Sequence, residues 1–357
     1  MWYNNKVTEM LGIKYPIMQG PFGGGLSTPR LAATVSNMGG LGGYGAYTMS
    51  PQDIYDIDKQ IKSLTNNPYN INLWVSDTDA VNGTVSNEVY EYTKQRFKSY
   101  FDKAGIEMPD KPVPFKSRFE NQLQAILDIK PKVFSFMFGL LPEDVMEQCH
   151  KRDIKLVGAA TTLDEAVALN NSGVDMIIAS GFEAGGHRPS FLTPAEQSTT
   201  GTFVLIQLIK ERVNVPVIAA GGIATGSGIA AAFTLGADAV QIGTAFLACE
   251  ESGALPAHKE ALFSDAAKYT MLTRAYTGRL GRGITTKLGL DLVGKENDLL
   301  RFPLQTTFMS FLRKAALEKQ KHDMVLFWGG QIAPILKHRK ADLLMKSLIA
   351  DTTDILG

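Results

Sequence analysis

The chain has 357 residues, of which 45% are hydrophobic and 20% charged, and its 36 basic side chains balance 36 acidic ones. These proportions are typical of a globular protein with one large or two ordinary domains, and the neutral balance gives no electrostatic reason to expect nucleic acid or an anionic membrane as a partner. The first residues lack a signal-peptide pattern and no apolar stretch is long enough to cross a bilayer, so we expect a cytoplasmic protein. Cys149 and Cys249 lie too far apart for a metal-ligand motif and are predicted to be buried thiols.

Eight short apolar runs follow one another along the chain, and each ends in glycine or a polar residue. Runs of this length without alternation are typical of strands buried on both faces of a parallel sheet. The eight runs are residues 15–20, 39–46, 69–76, 132–139, 154–160, 174–181, 215–222 and 237–245.

Helical segments separate the apolar runs. One follows Ser27 or Thr28 as N-cap with proline in its first turn, and a second has Thr162 three residues before Glu165, the spacing of a capping box. A third, opening on small residues, ends at Gly236. Eight strand–helix units predict an α/β fold, a (β/α)8 TIM barrel, with a doubly wound sheet as the alternative.

Two regions exceed a minimal barrel. Residues 77–131 are predicted to form a mostly helical insertion after the third strand, which is too long for a plain loop and is expected to pack over the barrel mouth. Residues 246–357 are predicted to form a helical C-terminal extension that packs on the barrel and could support a homodimer. The expected organisation is therefore a barrel over residues 1–245 followed by this extension.

Glycine-rich exits after the seventh and eighth strands predict a phosphate site. Gly221 and Gly222 end the seventh strand, and Gln241, Ile242, Gly243 and Thr244 end the eighth. Glycine lets backbone N–H groups approach a phosphate closely, and a phosphate site at this pair of strands recurs in TIM barrels.

His187 is the predicted catalytic residue. It follows the sixth strand in the stretch GFEAGGHRPS (181–190), at the end of the barrel where active sites lie. The other four histidines stand in charged helical contexts and are expected on solvated faces. Neutral imidazole can accept a proton near neutral pH, and protonated imidazole can stabilise an anion, so His187 suits acid–base chemistry.

Other cofactor classes find no support in the sequence. Neither glycine-rich stretch near the N-terminus matches GxGxxG with a following acid, and no Walker motif is present. The five histidines are scattered without ligand spacing, so no metal site is predicted.

Several stretches together resemble the nitronate monooxygenase family, formerly called 2-nitropropane dioxygenases. They are PIMQGPFGGGLSTPRLAATVSNMGGLGGYGA, ASGFEAGGHRPS, VPVIAAGGIATGSGIAAAFTLGADAVQIGTAF and AYTGRLGRGI, and the likeness extends through the C-terminal FWGGQ segment. The same flavin-barrel group includes enoyl-acyl-carrier-protein reductases and NADH:quinone reductases with a histidine in the equivalent loop.

The resemblance implies FMN, with its phosphate at Gly222 and at residues 241–244. It also places Gln19, Gly20, Asn72, Ser180 and Gly185 beside the flavin. Ser180 stands where these enzymes usually have glutamine, and its shorter side chain cannot span the same gap to the flavin.

The implied reaction is oxidation of an alkyl nitronate by O2 to a carbonyl compound and nitrite, with His187 fixing the nitro oxygens. For a neutral nitroalkane, His187 would be the base that removes the α-proton. Two other functions stay open, an NAD(P)H-dependent FMN reductase and a barrel that binds a phosphorylated ligand without redox chemistry. IMP dehydrogenase-like chemistry is disfavoured because neither cysteine lies in an active-site loop.

Overall fold

A computed structural model describes residues 1–76, 85–113 and 117–357. Eight parallel strands form one sheet in the order β1-β9-β8-β6-β5-β4-β3-β2, and a parallel bridge from Met18 to Leu41 brings its two edges together as a barrel. The predicted TIM barrel is confirmed. Its strands are β1 (Ile17–Gln19), β2 (Gly42–Gly45), β3 (Tyr69–Trp74), β4 (Val133–Met137), β5 (Lys155–Ala160), β6 (Met176–Ser180), β8 (Val217–Ala220) and β9 (Ala239–Ile242).

A second sheet of three antiparallel strands lies outside the barrel. It joins the hairpin of β10 (Thr270–Thr273) and β11 (Gly281–Ile284) to β7 (Gly186–His187), the two residues that carry the predicted catalytic histidine. The sequence reading of the C-terminal extension as mostly helical missed this hairpin, because its strands are short and glycine interrupts their pattern.

The helices surround the barrel or form the extension. They are α1 (Lys6–Leu11), α2 (Pro29–Asn37), α3 (Pro51–Leu64), α4 (Asn87–Ala104), α5 (Phe119–Ile129), α6 (Glu143–His150), α7 (Leu163–Ser172), α8 (Thr202–Lys210), α9 (Gly226–Thr234), α10 (Thr244–Leu247), α11 (Pro256–Leu262), α12 (Lys287–Leu292), α13 (Leu304–Glu318) and α14 (Ala341–Leu356). None of the helices in the described part of the chain is both long and apolar enough to span a membrane.

Alternate residues of each barrel strand face opposite sides. Inward-facing side chains such as Met18, Val157 and Ile178 form an interior core, and Val7 and Leu11 of α1 join it. Outward-facing side chains pack under the surrounding helices in a larger core. Since apolar side chains fill the barrel interior and its α1 end, its polar chemistry is confined to the opposite end, where the strands finish.

The extra regions share a core of their own. Phe97 and Phe101 of α4 pack on Phe308 of α13, at ring-centroid distances of 5.7 and 5.2 Å. Helix α5, by contrast, contributes Ile126 to the core under the barrel helices. The expected insertion of residues 77–131 is therefore divided: α4 joins the C-terminal extension, α5 is the barrel helix before β4, and residues 77–84 and 114–116 lie outside the described residues.

The helix caps account for two of the predicted boundaries. The Thr28 hydroxyl accepts from the Leu31 N–H at 3.0 Å, so Thr28 is the N-cap of α2. The Thr162 hydroxyl caps α7 by accepting from the Glu165 N–H at 3.2 Å. The Glu165 carboxylate does not complete the capping box; it accepts from the N–H groups of Thr161 and Phe191, at 2.7 and 2.6 Å, and so anchors the chain that follows the His187 loop.

Candidate active site

A cavity of about 420 Å³ opens at the carboxyl ends of the barrel strands. One side of it consists of strand exits and the other of residues from the C-terminal extension, including Thr277, Arg313 and Trp328. Ten of the twelve predicted site residues line it. They are Gly20, Asn72, Ser180, Gly185, His187, Gly221, Gly222, Gln241, Gly243 and Thr244.

Gln19 and Ile242 are the two predicted residues that do not line this cavity. The Gln19 side chain is buried and turned toward β2, where its Oε1 accepts from the Gly43 N–H at 2.9 Å and its amide donates to the Gly20 carbonyl. Ile242 is fully buried in the core outside the barrel wall. Both residues therefore shape the strand ends that carry their glycine neighbours.

The exits of β8 and β9 present backbone N–H groups to the cavity. Among the described residues, no acceptor receives the N–H groups of Gly222, Gly243 or Thr244. Backbone donors of partly buried residues are otherwise almost always paired in proteins. Three such donors lie on two adjacent loops; we call them the cradle, and together they could hold an anion.

The backbone of Gly222 explains why this loop needs glycine. Its φ is +72°, in the left-handed region that a branched side chain strongly disfavours.

A segment of the C-terminal extension, residues 327–331, which we call the strap, crosses beside this cradle. The Gly330 N–H donates to the Thr244 hydroxyl at 2.9 Å, and the Gln331 N–H donates to the Glu183 carbonyl at 3.0 Å.

Gly185 meets the strap directly. A Cβ at this position would lie 2.5 Å from the Gly330 nitrogen and 2.6 Å from the Gly329 carbonyl carbon. Because backbone cannot move aside as a flexible side chain does, only glycine permits this approach. The strap therefore presses against the loop that carries His187.

Two buried arginines hold the His187 loop in shape. Arg188 donates to the carbonyls of Gly181 and Ser198, at 2.6 and 2.7 Å, and Arg282 donates to the Phe182 carbonyl at 3.0 Å. Burial lowers the pKa of Arg188 to about 10, so it stays charged near neutral pH. Charge-assisted bonds to carbonyls preorganise a loop without occupying the cavity.

His187 lies half-buried in the cavity wall. Its Nε2 is 2.9 Å from the Thr277 hydroxyl, and its ring lies 5.2 Å from Trp74 and 4.8 Å from Trp328. Burial, and secondarily the positive charge of Arg279, lower the pKa of His187 to about 3. The imidazole is therefore neutral near pH 7, the form that can accept a proton.

An aromatic wall, formed by Tyr47, Trp74, Phe138 and Phe302, stands beside His187. Tyr47 and Trp74 are stacked with ring centroids 3.6 Å apart, and both line the cavity. Phe138 and Phe302 pack behind Trp74 at 4.8 and 5.3 Å. Because Trp74 is held between neighbours, the wall gives the cavity a rigid apolar boundary.

His258 is buried, so the expectation that it lies on a solvated face is wrong. Its Nε2 is 2.7 Å from the Trp328 carbonyl oxygen, and its ring stacks on Phe327 at 4.9 Å. Burial lowers the pKa of His258 to about 4, which leaves a neutral Nε2–H to donate to that carbonyl. His258 therefore helps to hold the strap.

Polar side chains line the barrel end of the cavity. The Asn72 amide donates to the Ser135 hydroxyl at 2.9 Å, and the Asn70 amide donates to the same oxygen at 2.8 Å. Ser180 ends β6 facing the same space. Asn72, Ser180 and Gln241 can therefore offer hydrogen bonds to a polar ring system.

The sequence reasoning missed the residues from the C-terminal extension. Thr277 lies 90 positions beyond the histidine it contacts. Trp74 ends an apolar run and was not singled out. The AYTGRLGRGI and FWGGQ segments were the available sequence signals for these residues. Their contact with the 181–190 loop depends on the pairing of β7 with β11, which the sequence does not reveal.

The whole chain has close relatives among known proteins. The family model described as nitronate monooxygenase matches residues 4–351. A "Probable nitronate monooxygenase" of Staphylococcus aureus (strain JH9) is 35% identical over 357 residues, which covers 100% of this chain and 99% of that protein.

Solved structures resemble it over nearly its full length. The nitroalkane oxidase from Streptomyces ansochromogenes has a TM-score of 0.89 and 32% identity, with 98% of each chain covered. FabK from Thermotoga maritima has a TM-score of 0.75 and 26% identity, with 99% of this chain and 97% of that chain covered.

Proposed function

Since the chain belongs to the nitronate monooxygenase family, we propose that it is an FMN-dependent enzyme that oxidises alkyl nitronates or nitroalkanes with O2 to a carbonyl compound and nitrite. The position of His187 in the wall of the cavity at the strand exits is the observation that carries this proposal. A carbon acid such as a nitroalkane needs a positioned base, and neutral imidazole supplies one.

The residues of the cavity fit FMN. The cradle of Gly222, Gly243 and Thr244 N–H groups suits a terminal phosphate, and the volume of about 420 Å³ lies within the range of cofactor sites. Asn72, Ser180 and Gln241 would hold the polar ring. When bound, FMN supplies the electron-accepting centre, and the protein supplies placement and electrostatics.

The chain's own residues orient the substrate. His187 would accept the α-proton of a nitroalkane and, once protonated, donate it to the nitro oxygens of the nitronate so formed. The aromatic wall and Trp328 exclude water around that proton, and exclusion of water strengthens each hydrogen bond. Arg188 and Arg282 keep the loop from shifting as charge develops.

Anaerobic reduction of the purified flavoprotein tests the proposal. Ethyl nitronate should bleach the flavin and, after admission of air, yield nitrite. Rapid bleaching by NADH or NADPH without any response to nitronate or nitroethane would contradict it. Absence of a bindable flavin would instead support a non-redox ligand-binding barrel.

A second candidate is an NAD(P)H-dependent FMN reductase acting on an enoyl thioester or quinone. The likeness to FabK over 99% of the chain favours it, as does Arg313, which lines the cavity and has no acidic partner among the described residues. A cation at that position could receive a phosphate of the pyridine nucleotide. The same anaerobic comparison separates the two candidates.

A further inference from the structure

We propose that Thr277 is a positioning residue that holds His187 as the Nε2–H tautomer and so assigns the reacting lone pair to Nδ1. The proposal rests on the proposed function only in naming Nδ1 as the reacting atom. The tautomer itself follows from hydrogen bonds that involve no substrate.

The Thr277 hydroxyl has one proton, and the structure accounts for it. The hydroxyl donates to the Arg279 carbonyl oxygen at 3.0 Å, and a carbonyl can only accept. The Thr277 hydroxyl oxygen also accepts from the Arg279 N–H at 3.3 Å. We infer that the proton stays directed at that carbonyl; Thr277 then accepts from His187, and the Nε2 atom at 2.9 Å carries the hydrogen.

The other ring nitrogen is then unprotonated. Among the described residues no group hydrogen-bonds to the Nδ1 of His187, although the residue lines the cavity. A neutral imidazole with Nε2–H carries its basic lone pair at Nδ1. That atom is therefore the one that can take the α-proton of a nitroalkane and pass it on as the reaction proceeds.

Backbone pairing keeps Thr277 in place. Gly281 pairs with His187 across β11 and β7, and the Arg188 N–H donates to the Leu280 carbonyl at 2.9 Å. The Thr277 side chain is almost fully buried, and the Thr306 hydroxyl donates to its carbonyl at 3.3 Å. These contacts hold Thr277 and His187 in a fixed relative position. A hydrogen bond that sets the tautomer of the imidazole requires such a fixed partner.

Nitrogen NMR of the flavin-loaded protein tests the tautomer directly. The chain has five histidines, so ring-labelled histidine gives few signals, and the His187→Asn variant assigns those of His187. Wild type and Thr277→Ser should show a slowly exchanging proton on Nε2 and none on Nδ1. In Thr277→Val, which has nearly the same shape without the hydroxyl, that proton signal should vanish through fast exchange.

The matched control is Thr307→Val, because Thr307 is exposed on the same helix as Thr306 and its hydroxyl bonds, among the described residues, only to the Pro303 carbonyl. It should keep the Nε2–H signal. A proton on Nδ1 in wild type, or an unchanged Nε2–H signal in Thr277→Val, overturns the proposal.

Turnover of nitroethane gives the second readout. Loss of one orienting hydrogen bond should lower kcat about tenfold in Thr277→Val with KM within about twofold, and Thr277→Ser should recover most of it. If wild type oxidises neither nitroethane nor its nitronate, the proposed function fails while the NMR result still decides the tautomer.

Discussion

The barrel side and the C-terminal side of the cavity are built on different physical principles. The barrel side offers backbone N–H groups and amides at strand exits, fixed by short-range turns such as that at Gly222. The C-terminal side offers side chains brought in over long range, such as Thr277 on His187 and the strap on Gly185. Under the proposed function, one side would hold the cofactor by main chain and the other would tune the reacting group.

The largest effect is expected from breaking the cradle. Gly222→Val places a branched side chain at φ +72° beside the unpaired N–H groups, so the purified variant should carry almost no FMN. The control is Gly294→Val, because Gly294 has φ +77° but lies outside the cavity lining, which matches the backbone strain. Flavin absorbance per protein measures both. Full flavin content in Gly222→Val would show that the cradle holds no phosphate.

Substitution of His187 should lower turnover and leave cofactor binding intact. His187→Asn removes the base but leaves both strand exits intact, so FMN should stay bound while kcat/KM falls by roughly 10²–10⁴-fold. Nitrite release and flavin absorbance are measured on the same sample. Wild-type turnover in His187→Asn would show that His187 takes no part in the reaction. Loss of flavin from this variant would show that His187 helps to bind the cofactor.

The aromatic wall should limit the length of the alkyl chain that a nitronate substrate can have. Trp74→Ala opens space beside His187, so the ratio of kcat/KM for hexyl over ethyl nitronate should rise about tenfold, within the range typical of hydrophobic pockets. Trp2→Ala serves as the control, because Trp2 packs on Tyr15 and Phe233 away from the cavity. An unchanged ratio would exclude Trp74 from substrate contact.

The smallest expected effect is on how the stability of the folded protein depends on pH. The pKa of His187 is lowered to about 3, so it stays neutral when folded, whereas an unfolded histidine binds a proton near pH 6.5. Wild type should therefore lose stability as pH falls below about 6.5, and between pH 7 and 5 it should lose about 1–2 kcal/mol more than His187→Asn. Denaturant midpoints at both pH values measure this. Equal losses would mean that the folded histidine titrates normally.

Much of the barrel side could be predicted from the sequence. All eight apolar runs contain a strand, because buried parallel strands leave a signal in adjacent residues alone. The glycine exits line the cavity for the same reason, because each follows a strand directly, and His187 lines it from the loop after β6. Gln19 and Ile242 are the exceptions, since only the structure reveals that the Gln19 side chain bonds to β2 and that Ile242 packs in the core.

The C-terminal side could not be predicted because its meaning depends on distant partners. His258 stands in a charged helical sequence and yet is buried against the strap. On the barrel side, too, Glu165 matches a capping box and yet bonds to the chain after the His187 loop. The sequence around each residue predicted a local role, a solvated face for His258 and a capping box for Glu165. Contacts with distant parts of the chain give each residue a different role.

The strap has a genetic consequence. Residues 327–331 touch the loops of β6 and β9 through Gly185 and Thr244. A stop codon just before residue 327 would leave every barrel strand translated, yet the protein would lack the segment that joins the His187 loop to the exit of β9. Nonsense alleles at this point should therefore behave as complete losses of activity.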